Sequence, residues 1–125
     1  MALTRFGFIV TGHGLDPARD RSVLSASHFH MITIGVASAA QGPQAARELL
    51  AQGVQLIELC GGFGPVGTAA VLAAVDGAVP VGSVGYGPES IEAATLGQEP
   101  ILSLQKRIVN RWIIFPGSRE SACSV

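Results

Sequence analysis

The chain has 125 residues, the size of one domain and long enough for a core without disulfide staples. Hydrophobic residues make up 48% and charged residues 14%, too little charge to cover a small surface, so a homo-oligomer is expected. A net charge of −1 gives no global field for nucleic acid or anionic lipid, and no apolar run nears the ~18 residues of a membrane span, so neither partner is expected.

The two cysteines, Cys60 and Cys123, are far apart and in no metal-finger spacing, which fits a reducing compartment. Phe6–Val10 is too short for the apolar segment of a secretory signal, and Thr11-Gly12-His13-Gly14 is no small-residue cleavage site. A cytoplasmic location is the expectation.

In chain order, Arg5–Thr11 is short, apolar and rich in β-formers, and reads as the first strand. Asp16-Pro17 is a helix-start signal, which predicts a short helix or helical loop over Pro17–Leu24. His28–Ala37 reads as the second strand. Pro43–Gln52 has helical spacing, with Ala45, Ala46, Leu49 and Leu50 on one stripe and Gly53 as its stop. Val54–Cys60 reads as a third strand, apolar on both faces except for Gln55 and Glu58, the look of a central parallel strand. Pro65–Val75 is the next helix, ended by Asp76-Gly77. Val79–Tyr86 is the fourth strand and Pro88–Leu96 a short helix. Ile101, Leu104, Ile108 and Trp112 repeat at helical spacing and predict an amphipathic C-terminal helix, with Lys106, Arg107 and Arg111 on its other side. Residues 1–117 form one expected domain and 118–125 a frayed tail. No internal repeat stands out.

Strands alternating with helices make parallel pairs through right-handed crossovers. The expected fold is therefore a small flavodoxin-like, three-layer α/β fold, with a mostly parallel sheet of about four strands. The strand ends near Ser38, Cys60 and Tyr86 then share one edge, and the first strand brings His13 there.

That edge is where α/β proteins place ligands. Leu56-Ile57-Glu58-Leu59-Cys60-Gly61-Gly62-Phe63-Gly64-Pro65 is an apolar run that breaks into glycines and hands over to a helix. Gly62 to Gly67 matches G-x-G-x-x-G, but the chain is short for a dinucleotide fold and Tyr86 and Gly87 stand where an acidic residue belongs. A tight turn is the plainer reading. Backbone N–H groups of Gly61, Gly62, Phe63 and Gly64 could hold a carboxylate or phosphate. Glu58 on a buried strand would have a raised pKa and suit acid/base work, against the alternative of a structurally paired carboxylate. Cys60, near a helix N-terminus, is a thiolate candidate with His13 as its base, or else an ordinary buried cysteine. Tyr86 could donate to a substrate oxygen, with Ser83 beside it on the same strand. His28 and His30 form a metal-compatible pair, but a third ligand such as Asp16, Glu58 or His13 would have to come from another subunit or a folded-back loop, so edge-strand or interface histidines are the plainer reading; no metal and no cofactor is expected.

The run Gly53–Gly64 with its I-E-L-C-G-G-F-G motif, followed by Val79-Pro80-Val81-Gly82, resembles a family of small bacterial α/β proteins of unknown function. Asp16-Pro17 and Arg21-Ser22-Val23 are similar as well, so the resemblance covers about residues 5–90. The family carries an Arg and an Asp after the V-P-V-G strand, where this chain has Gly85-Tyr86-Gly87. It implies a site at the glycine turn and leaves the reaction open.

The expected function is a cofactor-independent enzyme of lyase, isomerase or cyclase type acting on a small carbonyl or carboxylate compound. Glu58 would be the acid/base, with Cys60, His13 or Tyr86 assisting. A non-catalytic small-molecule binding or sensing protein, and a structural oligomeric module, are the alternatives.

Overall fold

The computed structural model describes residues 2–87. The chain divides into two units, Met1–Gly85 and Tyr86–Val125, and the fold described here is that of the first. The helices predicted over Pro88–Leu96 and around Ile101–Trp112, and the tail, lie outside the described residues.

The elements run β1 (Arg5–Thr11), β2 (Arg21–Ala26), β3 (Phe29–Val36), α1 (Gly42–Ala51), β4 (Leu56–Leu59), α2 (Gly64–Val75) and β5 (Val81–Ser83). Short 3-10 turns, Ala39–Gln41 and Gly61–Phe63, precede the two helices. The five strands form one sheet in the order β2-β3-β1-β4-β5. All neighbours are parallel except β2 and β3. The mostly parallel α/β sheet is as expected, with one strand more than the sequence suggested.

The extra strand is β2, where Pro17–Leu24 was expected to be helical. The helix-start signal is real but local. Asp16 Oδ1 accepts the Ala18 N–H at 2.9 Å, and the Asp20 N–H donates to the Asp16 carbonyl at 2.7 Å. One turn forms and stops. Arg21–Ala26 then pairs antiparallel with β3 through a two-residue loop, Ser27-His28. A ladder to a neighbouring strand outweighs a single helical turn, even one that contains good helix formers such as Ala18 and Arg19. The same loop corrects the histidine pair: His28 is in the turn, while His30 is in β3, its Nδ1 3.0 Å from Ser25 Oγ.

Both helices pack on one face of the sheet. The crossovers β3–α1–β4 and β4–α2–β5 move the same way along the strand order, so one handedness places both helices together. On that face Ile9, Ile32, Ile34, Val36, Ile57 and Leu59 meet Ala45, Leu49, Val71 and Val75 in the core. A Cβ on Gly7 would stand 2.9 Å from Leu49 Cδ1, which shows how close α1 lies to β1.

The other face carries a different set. Leu24, Met31, Phe6 and Leu56 stand in one row across four strands, and Ser22, Thr33, Phe8, Glu58 and Gly82 form the next. Neither described helix covers these rows, so the described residues make two layers where three were expected.

The helix ends match their sequence signals. Gly53 has φ 74° after α1, and Asp76 and Gly77 have φ 45° and 72° after α2. These left-handed stops favour Gly and tolerate Asp.

Candidate functional site at the end of strand β4

The parallel strands β1, β3, β4 and β5 end together. Gly12 N–H donates to the Val36 carbonyl at 3.0 Å, Cys60 N–H to Ile9 at 3.1 Å and Val84 N–H to Leu59 at 3.1 Å. These bonds tie the four strand ends into one edge. Cys60 leaves β4 there in an extended conformation, φ −64° and ψ 161°, and the 3-10 turn Gly61–Phe63 turns the chain into α2.

Two features shape the turn. Phe63 is buried, its ring packed against Gly42 and Gly67, so it anchors the turn between α1 and α2. Gly64 has φ 58° and ψ −177°, a backbone conformation that a side chain would strain, and Pro65 starts the helix directly after it.

Thr11, the last residue of β1, closes on Cys60 from the side. Its N–H donates to Cys60 Sγ at 3.2 Å, and its Oγ1 stands 3.3 Å from the same sulfur. A Cβ at position 62 would collide with Thr11 Oγ1, so only glycine allows this approach. The Gly62 and Phe63 N–H groups also attract the sulfur, although neither is aligned as a capping hydrogen bond.

The thiol is half-buried and free. Burial pushes its pKa up and is the largest single influence. The Thr11 hydroxyl, the Thr11 N–H and the Gly62 and Phe63 N–H groups together outweigh it, and the thiol is held below its ordinary value. Charge on this sulfur is stabilised by neutral donors, with no cation or histidine among them.

The other expected site residues are distributed more widely. His13 is exposed in the turn after β1, two residues past Thr11, and is not a hydrogen-bond partner of Cys60. Ser83 is exposed at the end of β5, level with Leu59. The strand stops at Ser83, so Tyr86 is not on it; Tyr86 is exposed and belongs to the second unit.

Glu58 is exposed, and the premise of a buried carboxylate is corrected. It projects on the face opposite Ile57 and Leu59, and its neighbour on β5 is Gly82, which has no side chain to cover it. Glu58 thus stands on the sheet face while Cys60 packs against the core. The expected oxyanion donors are also partly engaged: Phe63 N–H donates to the Cys60 carbonyl at 3.2 Å, and Gly64 N–H to Gly61.

Thr11 is the residue that sequence reading missed. Its signal was faint: a hydroxyl closing an apolar strand before Gly12. Only the adjacency of β1 and β4 gives it meaning.

Among the described residues no three metal-ligating side chains come together, and no helix is long and apolar enough to cross a membrane. A family model described as "Family of unknown function (DUF6506)" matches residues 4–99. The chain belongs to that family. The matched stretch includes both Thr11 and the turn after Cys60. No curated protein and no solved structure matches the chain.

Proposed function

We propose that this chain is a small cofactor-independent enzyme of lyase, isomerase or cyclase type. Its substrate is a small carbonyl or carboxylate compound lying across the C-terminal edge of the sheet, and Cys60 is its acid/base group. The observation that carries this reading is the pair of Thr11 groups on Cys60 Sγ, an N–H that donates to it and a hydroxyl that can donate to its thiolate. A sulfur that is only core packing has no need of them. A thiolate kept by neutral donors can take a proton from carbon beside a carbonyl and return it from the thiol.

His13, in the turn after β1, and Ser83, at the end of β5, are exposed at this edge and in this reading contact the ligand. Glu58 keeps at most a remote part, because its carboxylate is on the sheet face. A cytoplasmic location and a three-layer, flavodoxin-like form belong to this proposal too.

The test is solvent deuterium exchange into a panel of small keto and hydroxy acids, followed by NMR. The wild type is expected to exchange a carbon-bound proton of at least one compound, and Cys60→Ser to lose that exchange while melting normally. Exchange that survives in Cys60→Ser removes the role given to the thiol.

A non-catalytic binding protein is the second reading. The engaged N–H groups of Phe63 and Gly64 favour it, since they are not free to stabilise a developing oxyanion. It predicts ligand-dependent stabilisation with no exchange.

A further inference from the structure

We propose that a second copy of this chain docks along the free edge of β2, joining two sheets into one across a two-fold axis at Val23. The observation is the character of that edge. Among the described residues the sheet has two edge strands, β2 and β5, and β5 is only three residues long. β2 has six residues, and all six are exposed. Val23 and Leu24 are each 61% exposed. Exposed edges are normally blunted by proline, lysine, a bulge or brevity. β2 has no proline or lysine, and its register with β3 is unbroken from Arg21 to Ala26.

The hydrogen bonds fix which groups face outward. Gly35 N–H donates to the Asp20 carbonyl at 2.8 Å, so Asp20 and Gly35 are a hydrogen-bonded pair of the antiparallel ladder. The alternation then turns the backbone groups of Ser22, Leu24 and Ala26 toward β3. Those of Arg21, Val23 and Ser25 point away from the sheet. The Ser25 and His30 side chains meet at 3.0 Å, as suits the close approach of a non-hydrogen-bonded pair. The Arg21 N–H is already used by the Arg19 carbonyl at 3.1 Å.

A two-fold axis at Val23 satisfies what is left. Val23 faces Val23 of the second copy and exchanges two bonds with it. Each Ser25 N–H meets the carbonyl of the opposite Arg21, which adds two more. The one donor that this register leaves out is the Arg21 N–H, which the turn already engages. No charge faces a like charge, because Arg21 lies opposite Ser25 and its guanidinium is paired with Glu48 of its own chain. Leu24 lies opposite Ser22 of the second copy, so the apolar row Leu24-Met31-Phe6-Leu56 of each copy continues into the Ser22-Thr33-Phe8-Glu58 row of the other.

The experiment is sedimentation velocity on the full chain from micromolar to millimolar concentration. The wild type is expected to climb from 12.8 kDa toward twice that mass. Val23→Lys sets two ammonium groups against each other at the axis and is expected to stay monomeric. Ser25→Pro removes an outward N–H and no ladder bond to β3, and is expected to do the same. Leu72→Lys, at an exposed site on α2, is expected to associate like the wild type. A wild type that stays monomeric throughout overturns the proposal, as does undiminished association of a folded Val23→Lys or Ser25→Pro.

Discussion

Two junctions in this protein follow one backbone plan and end differently. Ser38 after β3 and Cys60 after β4 are both extended, with ψ 160° and 161°. Each is followed by a three-residue 3-10 turn and then by Gly-Pro at a helix start, Gly42-Pro43 and Gly64-Pro65. In the first junction the turn holds Ala39 and Ala40, and Gln41 Oε1 takes the Ala37 N–H at 2.8 Å. In the second the turn holds Gly61 and Gly62, and Phe63 goes into the core. β1 lies between them, giving Gly12 to one and Thr11 to the other. The first junction satisfies itself with its own side chain. The second has surrendered the Cβ at position 62 so that a neighbouring strand can bring an N–H and a hydroxyl to a sulfur. Ala40 stands at the position matching Gly62, although the two junctions part at the next glycine, Gly42 being right-handed (φ −55°, ψ −45°) and Gly64 left-handed (φ 58°).

The sharpest way to separate the junctions is to truncate the residue at the end of each turn. Phe63→Ala is expected to cost about 3–5 kcal/mol, since it empties a packed ring site. Gln41→Ala removes one exposed hydrogen bond and is expected to cost about 0.5–1.5 kcal/mol at most. Urea denaturation of both reads the contrast, and equal losses would erase it.

The next test exchanges their small residues. Gly62→Ala forces Thr11 or the turn to move and is expected to cost about 1–3 kcal/mol. Ala40→Gly, at the matching exposed position, is expected to cost about 1 kcal/mol or less. If the two cost the same in thermal melts, the close approach of Thr11 is not what selects glycine.

Smaller in energy but closer to the chemistry is the pH profile of Cys60 alkylation, followed in a Cys123→Ser background. Thr11→Val removes the hydroxyl and keeps the shape, so the midpoint is expected to move to higher pH, while Thr11→Ser stays near wild type. The same thiol sets a stability term. Its folded pKa lies below its ordinary value, so the contribution is complete above the ordinary thiol range and is lost as pH falls through the folded value. Thr11→Val should shrink that dependence. An unchanged profile would show that the hydroxyl only packs.

The smallest effect is expected at the Arg21–Glu48 ion pair, which ties β2 to α1 beside the first junction. Arg21 holds the Glu48 carboxyl below its usual range. Glu48→Gln is expected to cost about 0–1 kcal/mol, because the pair is partly solvated. The difference from wild type is expected above the ordinary carboxylate value of 4.5, and should fade as pH falls through the folded one. Guanidinium melts at two pH values would show the convergence.

Much of the fold was legible because it is written in local signals. The apolar run of β1, the stripe of α1, Gly53 and Asp76-Gly77 all depend on near neighbours. What sequence concealed depends on partners distant in the chain. Arg21–Ala26 became a strand because β3 receives it, which Asp16-Pro17 could not announce. Glu58 looked buried because its strand is central and apolar, yet its exposure follows from Gly82 on β5 and from two crossovers that run the same way. Cys60 and its glycines were visible as a site. Thr11, 49 residues away, was not, because its role exists only once β1 lies beside β4.

The strand order also bears on how the chain is made. Of the five strands described, β1 is synthesised first, yet both its flanks are occupied by later arrivals, β3 over Phe29–Val36 and β4 over Leu56–Leu59. A growing chain that has reached only the β2–β3 hairpin holds β1 with one side unpaired. The thiol environment is completed later still, when residues up to Phe63 have emerged and can meet Thr11. The first strand of this sheet to leave the ribosome waits until Leu56 for its second partner, and the sulfur waits with it.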